Sequence, residues 1–97
     1  MVLVADTQST IIGLSDALAM NASKEVFFPL LKDLVGELNQ IPFEILEESK
    51  IKMKNWLFKL TPLKVTDVLD EQTNKELAFD LGAAQDSFRK GIAGFEK

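Results

Sequence analysis

The sequence predicts an all-α fold, an antiparallel four-helix bundle, and three observations carry that expectation. Four stretches repeat apolar residues at spacings of three and four. Turn and capping residues stand between them, and no stretch alternates apolar with polar residues as a strand does. Ninety-seven residues, 46% apolar and 27% charged, suit one ordinary domain with a real core.

The first helix is expected from about Leu3 to Ala22, with Val4, Ile11, Leu14, Leu18 and Ala22 on one face. Ile12 and Met20 lie off that face and point to contact with a second neighbour. In "NAS" (21–23), Asn21 can leave the helix and Ser23 can cap the next one. The second helix covers about Lys24 to Gln40. Phe27, Leu30, Leu31, Leu34, Leu38 and Ile41 form its stripe, flanked by Phe28 and Val35. Pro29 removes a backbone donor and crowds the preceding turn, so an irregular start is expected, regular from about Pro29 onward.

Ile41 precedes Pro42 and prefers extended backbone, which places a connection there, with Phe43 and Leu46 plugging the bundle end. Ser49 is the expected cap of a third helix, about Lys50 to Leu60, ended by Thr61 before Pro62. Leu63, Val65, Val68 and Leu69 are the expected anchors of the next connection. Asp70 or Asp67 caps the fourth helix, about Glu71 to Phe95. Its seam reads Leu77, Leu81, Ala84, Phe88, Gly91 or Ile92, and Phe95.

Composition excludes much chemistry. The chain has no cysteine and no histidine, so thiolate nucleophiles, zinc–thiolate sites and Ser-His-Asp arrangements are impossible. Glu44, Glu47 and Glu48 cluster near a connection, but a hard cation needs several preorganised oxygens, and three loop glutamates are ordinary solubilising groups. No apolar run is long enough to span a membrane, and "MVLVADTQ" lacks the basic start and cleavage pattern of a signal peptide. A formal charge of −4 argues against nucleic acid as the main partner. No catalytic residue, cofactor or metal ligand is expected.

What remains is surface. In "IKMKNWLFKL" (51–60), Met53, Trp56, Leu57 and Leu60 make the core stripe. At about 100° per residue, Ile51 and Phe58 lie about 20° apart and about 150° from that stripe. Lys54 and Lys59 flank them. Between Ser49 and Thr66 stand Lys50, Lys52, Lys54, Lys59 and Lys64 with no acid. Phe79 falls about 180° from the fourth helix's seam. Two apolar groups rimmed by lysines form a candidate protein-docking patch, and Phe79 is a further candidate. A solvated lysine face balanced by acidic neighbours is the plain alternative, and a peripheral lipid-surface binder using the lysine-rich third helix is the other.

The run "KNWLFKLTPLKVTDVLDEQTNKELAFDLGAAQDSFRKGI" (54–92) resembles the C-terminal domain of the vacuolar protein sorting 28 family, subunits of the endosomal sorting complex ESCRT-I. The residues that carry it are Trp56, Leu57 and Leu60, "TDVLDEQ", then Phe79, Asp80, Leu81 and Phe88. "FP" and the Leu31/Leu34/Leu38 spacing also fit. "IPFEILEESK" and Phe58 set the chain apart within the family, and its overall character points to a fungal member. The resemblance implies an adaptor and not an enzyme: a C-terminal domain of a longer subunit whose N-terminal part joins the other ESCRT-I subunits. The implied downstream partner is ESCRT-II, through a zinc-finger insert of vacuolar protein sorting protein 36. The implied location is cytoplasmic and peripheral on endosome membranes, with the isolated domain a monomer. It does not imply which residues dock; Ile51, Phe58, Lys54, Lys59 and Phe79 come from the helical spacing.

Overall fold

A computed structural model describes residues 2–96 and shows four α-helices. They are α1 (Val2–Ala19), α2 (Lys24–Gln40), α3 (Glu47–Leu60) and α4 (Glu71–Glu96), with one 3-10 turn, η1 (Glu44–Leu46), before α3. Each helix packs on the next, and α4 closes the ring against α1. The ends of α1 and α3 meet the starts of α2 and α4 at one pole. The 41–46 connection meets the C-terminal part of α4 at the other. This is the antiparallel four-helix bundle that the periodicity predicts.

The core follows the apolar stripes. Ile11, Leu14 and Leu18 of α1, Phe27, Leu31, Leu34 and Leu38 of α2, Met53, Trp56 and Leu60 of α3, and Leu77, Leu81, Ala84 and Phe88 of α4 are all buried. Phe28, Leu30, Val35 and Ile92 are half-buried against them. Thr7 is fully buried on the α1 stripe, at a place where an apolar count skips a polar residue. Ile12 and Met20 are exposed, so α1 meets its neighbours without them. The seam residue Phe95 falls outside the described side chains.

The start of α2 is regular, contrary to the expectation from Pro29. The helix runs unbroken from Lys24 with Pro29 as its sixth residue. Pro29 is exposed, so the backbone bond it omits is lost at a wet surface, where the loss costs least. The first turn is also held from outside. Ser23 occupies the N-cap position, but its hydroxyl makes no capping bond; it donates to Glu25 Oε1 at 3.4 Å. The N–H of Lys24 donates instead to the Asp67 carbonyl (2.8 Å) and that of Glu25 to the Val65 carbonyl (2.9 Å). Donors that a helix start leaves unpaired are thus met by the second connection. The Lys24 ammonium completes the junction, donating to the carbonyls of Thr61 and Leu63 at 2.6 Å each.

That junction divides the predicted anchors. Leu69 is buried and Leu63 half-buried, whereas Val65 and Val68 leave their side chains in solvent and contribute backbone: the Val65 carbonyl, and a bridge between Val68 and Ser23. Asn21 leaves α1 with φ 52°, as an asparagine tolerates. Asp70 caps α4 through Oδ1, which accepts the Thr73 N–H at 2.7 Å. That bond, with the Thr73 hydroxyl and the Lys59 charge adding, holds the Asp70 carboxyl below the usual carboxylate range. The cap therefore stabilises the fold above the ordinary carboxylate pKa, and its contribution is lost as pH falls through the lowered value.

Ser49 does not cap α3. The helix begins at Glu47, with Leu46 at the cap position and no side-chain cap, and Ser49 is buried in its first turn. Ser49 lies about 20° from Trp56 on the helix wheel and so faces the core. Glu47 and Glu48 occupy the positive end of the helix dipole instead. Leu46 plugs the bundle end as expected, and Phe43 packs its ring against α4. A Cβ at Gly91 would stand 2.4 Å from Phe43 Cδ2, so only glycine lets the ring lie there.

Candidate protein-docking surfaces

Helix α3 exposes two distinct faces. On its outer ridge Ile51 is 61% and Phe58 66% exposed. Seven residues, about two turns, separate them, so they stand about 10 Å apart along one side of the helix. Lys54 lies between them in sequence and is exposed, with no ion pair among the described residues. Lys50 and Lys52 are held by Glu47 and Glu48 at 3.2 and 3.3 Å, so part of the lysine run is balanced by acidic neighbours.

Lys59 does not join the ridge. Its ammonium lies 4.8 Å from the centre of the Trp56 ring, on the side of α3 that faces α4. There the Trp56 indole N–H donates to Asp80 Oδ2 at 2.8 Å and ties the two helices together. Trp56 itself is 8% exposed: a core residue whose edge reaches the surface. Two shallow hollows open along this groove. One, of about 210 Å³, is lined by Lys52, Asn55, Trp56, Lys59 and Asp80. The other, of about 410 Å³, is lined by Trp56, Gln72, Lys75, Glu76, Phe79 and Asp80. Phe79 is 76% exposed on its wall.

The five residues singled out by helical spacing thus fall into two groups. Ile51, Phe58 and Lys54 share the ridge; Lys59 and Phe79 are brought together around Trp56. Sequence reasoning missed Asp80 as the partner of the indole. A carboxylate one position before seam residue Leu81 and one after exposed Phe79 sits at the edge of the helix face, where such a partner belongs. Among the described residues no group of three or more carboxylates is placed to hold a metal ion, and no helix is long and apolar enough to cross a membrane.

Comparison with known proteins gives the same architecture and a family. The yeast ESCRT-I Vps28 C-terminus, solved by X-ray crystallography, superposes with a TM-score of 0.79 at 31% identity, over 91% of this chain and 89% of that one. A crystal structure of the C-terminal domain of Vps28 gives 0.76 at 32% identity, over 91% and 94%. Vacuolar protein sorting-associated protein 28 homolog 1 of Arabidopsis thaliana is 36% identical over 92 residues, which are 93% of this chain and 44% of that protein. The Saccharomyces cerevisiae protein 28 is 33% identical over 86 residues, 88% of this chain and 35% of that protein. The chain therefore spans less than half the length of these full-length relatives. Residues 1–92 match the family profile described as VPS28 protein. A bundle that superposes on the Vps28 C-terminal structures, in a chain whose residues 1–92 match the family profile, belongs to the VPS28 family.

Proposed function

We propose that this bundle is a non-catalytic docking domain of an ESCRT-I subunit, and that it links ESCRT-I to the downstream sorting machinery through the outer ridge of α3. One observation carries the ridge: Ile51 and Phe58 stand exposed on the same side of one helix, and Lys54 between them has no ion pair among the described residues. An apolar pair with one lysine beside it fits a partner surface with an apolar pocket and an acidic edge. Membership of the VPS28 family and likeness to a yeast ESCRT-I Vps28 C-terminus support the setting. In that setting the chain is the C-terminal part of a longer subunit whose remainder joins the other ESCRT-I subunits. The domain itself is a monomer, cytoplasmic and peripheral on endosomes. Its partner is ESCRT-II, through the zinc-finger insert of vacuolar protein sorting protein 36.

The test is a paired melt and binding measurement on Ile51→Asp/Phe58→Asp. Both side chains are more than half exposed, so the melting temperature should hardly move. Affinity for the ESCRT-II subunit should fall by about thirtyfold, the scale of a lost central anchor. A stable double mutant that binds normally would rule the ridge out. Binding to anionic vesicles that weakens with salt, in place of binding to the protein, would favour the lipid-surface alternative.

A further inference from the structure

The α3–α4 groove is a surface of a different kind from the ridge. Its floor is fixed: Trp56 is packed in the core, and its indole N–H is committed to Asp80 across the helix pair. Its wall carries Phe79, the most exposed of the large apolar side chains described. Its rim carries three ammonium groups, on Lys52, Lys59 and Lys75. The two acids that line it already accept bonds from within the domain, Asp80 from the indole and Glu76 from the Gln72 amide at 2.9 Å. Lys59 has no ion pair among the described residues. Lys52 and Lys75 are held only by Glu48 and Glu71, exposed partners one helical turn away that do not line the hollows. Exposed pairs of that spacing contribute little and exchange readily for an incoming carboxylate.

From this arrangement we propose that the groove is a second docking site, distinct from the α3 ridge. It takes a short acidic segment of another protein, with one large apolar side chain seated on Phe79 and the edge of Trp56, and flanking carboxylates on Lys59, Lys52 and Lys75. The charge complementarity chooses the occupant: the two hollows are lined by three ammonium groups, on Lys52, Lys59 and Lys75, against two carboxylates, on Glu76 and Asp80, so their lining is net cationic. The committed indole keeps the floor in one shape, so docking requires little reordering.

Trp56 is the chain's one tryptophan, so its indole resonance and fluorescence report on the groove directly. The experiment pans a random-peptide display library against the 97-residue chain and titrates the enriched peptides, with charge-reversed versions and anionic vesicles alongside. The expected result is acidic peptides with one large apolar residue that shift the Trp56 indole signal and weaken as salt rises. Phe79→Ala should weaken them about tenfold, whereas Ile51→Asp/Phe58→Asp should leave them unchanged. Lys59→Ala with Lys75→Ala, both exposed, is the second variant and should also weaken them and flatten the salt dependence. Enriched peptides that are basic, that leave the Trp56 signal still, or that bind both groove variants normally would overturn the proposal. Vesicle binding that moves Trp56 while the acidic peptides do not would overturn it in favour of lipid. The ridge variants separate this outcome from that of the ridge itself.

Discussion

Trp56 shows how much one side chain can be asked to do. It fills core volume between α3 and α4, and it spends its only polar atom on Asp80 at 2.8 Å. These two contributions can be separated. Trp56→Ala removes both and should cost about 3–5 kcal/mol, a large share of a stability of about 5–15 kcal/mol. Trp56→Phe keeps most of the packing but gives up the bond, and should cost about 1–2 kcal/mol. Denaturant melts of the two variants check this, and a loss below about 1 kcal/mol for Trp56→Ala would take the ring out of the core. The apolar half of this role is legible in the sequence, because Met53, Trp56 and Leu60 recur at spacings of three and four. The polar half is not. Spacing puts Asp80 at the edge of its helix face, but it lies 24 residues away on another helix, and spacing within one helix does not say which neighbour that edge meets.

Among the helices, α2 and α4 are the most legible, since their stripes are long and their ends are marked by Asp70 and Ile41-Pro42. The failures sit at helix starts. Ser49 has the residue type of a cap, and sequence alone reads it so, but the acids before it begin the helix and turn it into the core. Pro29 has the residue type of a breaker, but its lost bond falls on the wet side. In both cases the tertiary setting overrides a local preference worth about 1–3 kcal/mol. The α2 start makes the same point in reverse, because its capping partners are the Asp67 and Val65 carbonyls, some forty residues downstream. Lys24→Met keeps the aliphatic stem and removes the two ammonium bonds to Thr61 and Leu63. It should cost about 1–3 kcal/mol, the scale of a charge-assisted bond. Hydrogen exchange should show residues 61–69 opening sooner while the α1 core amides are unchanged; equal protection in the two proteins would mean that the backbone bonds hold the connection unaided.

Across the whole molecule, composition sets the chemistry available. With no histidine or cysteine anywhere in the chain, zinc has no imidazole or thiolate ligand to bind. Calorimetric titration of the isolated chain should give no stoichiometric zinc site, so that any zinc in an assembly belongs to the partner; a tight one-to-one isotherm would refute this. The antiparallel order has a further mechanical consequence. Both the beginning of α1 and the end of α4 lie at the pole plugged by Phe43 and Leu46, while Lys24, Asn74 and the 61–70 connection close the opposite pole. The bundle is 43 Å long and about 20 Å across, close to the roughly 39 Å that 26 residues of α4 span. A chain fused to either terminus therefore grips the molecule by one end, like a handle. The C-terminal half of α3, with Phe58 and Lys59, is held out towards the far end, and a tether pulling on both termini would load α1 and α4 side by side without prying the Lys24 junction apart.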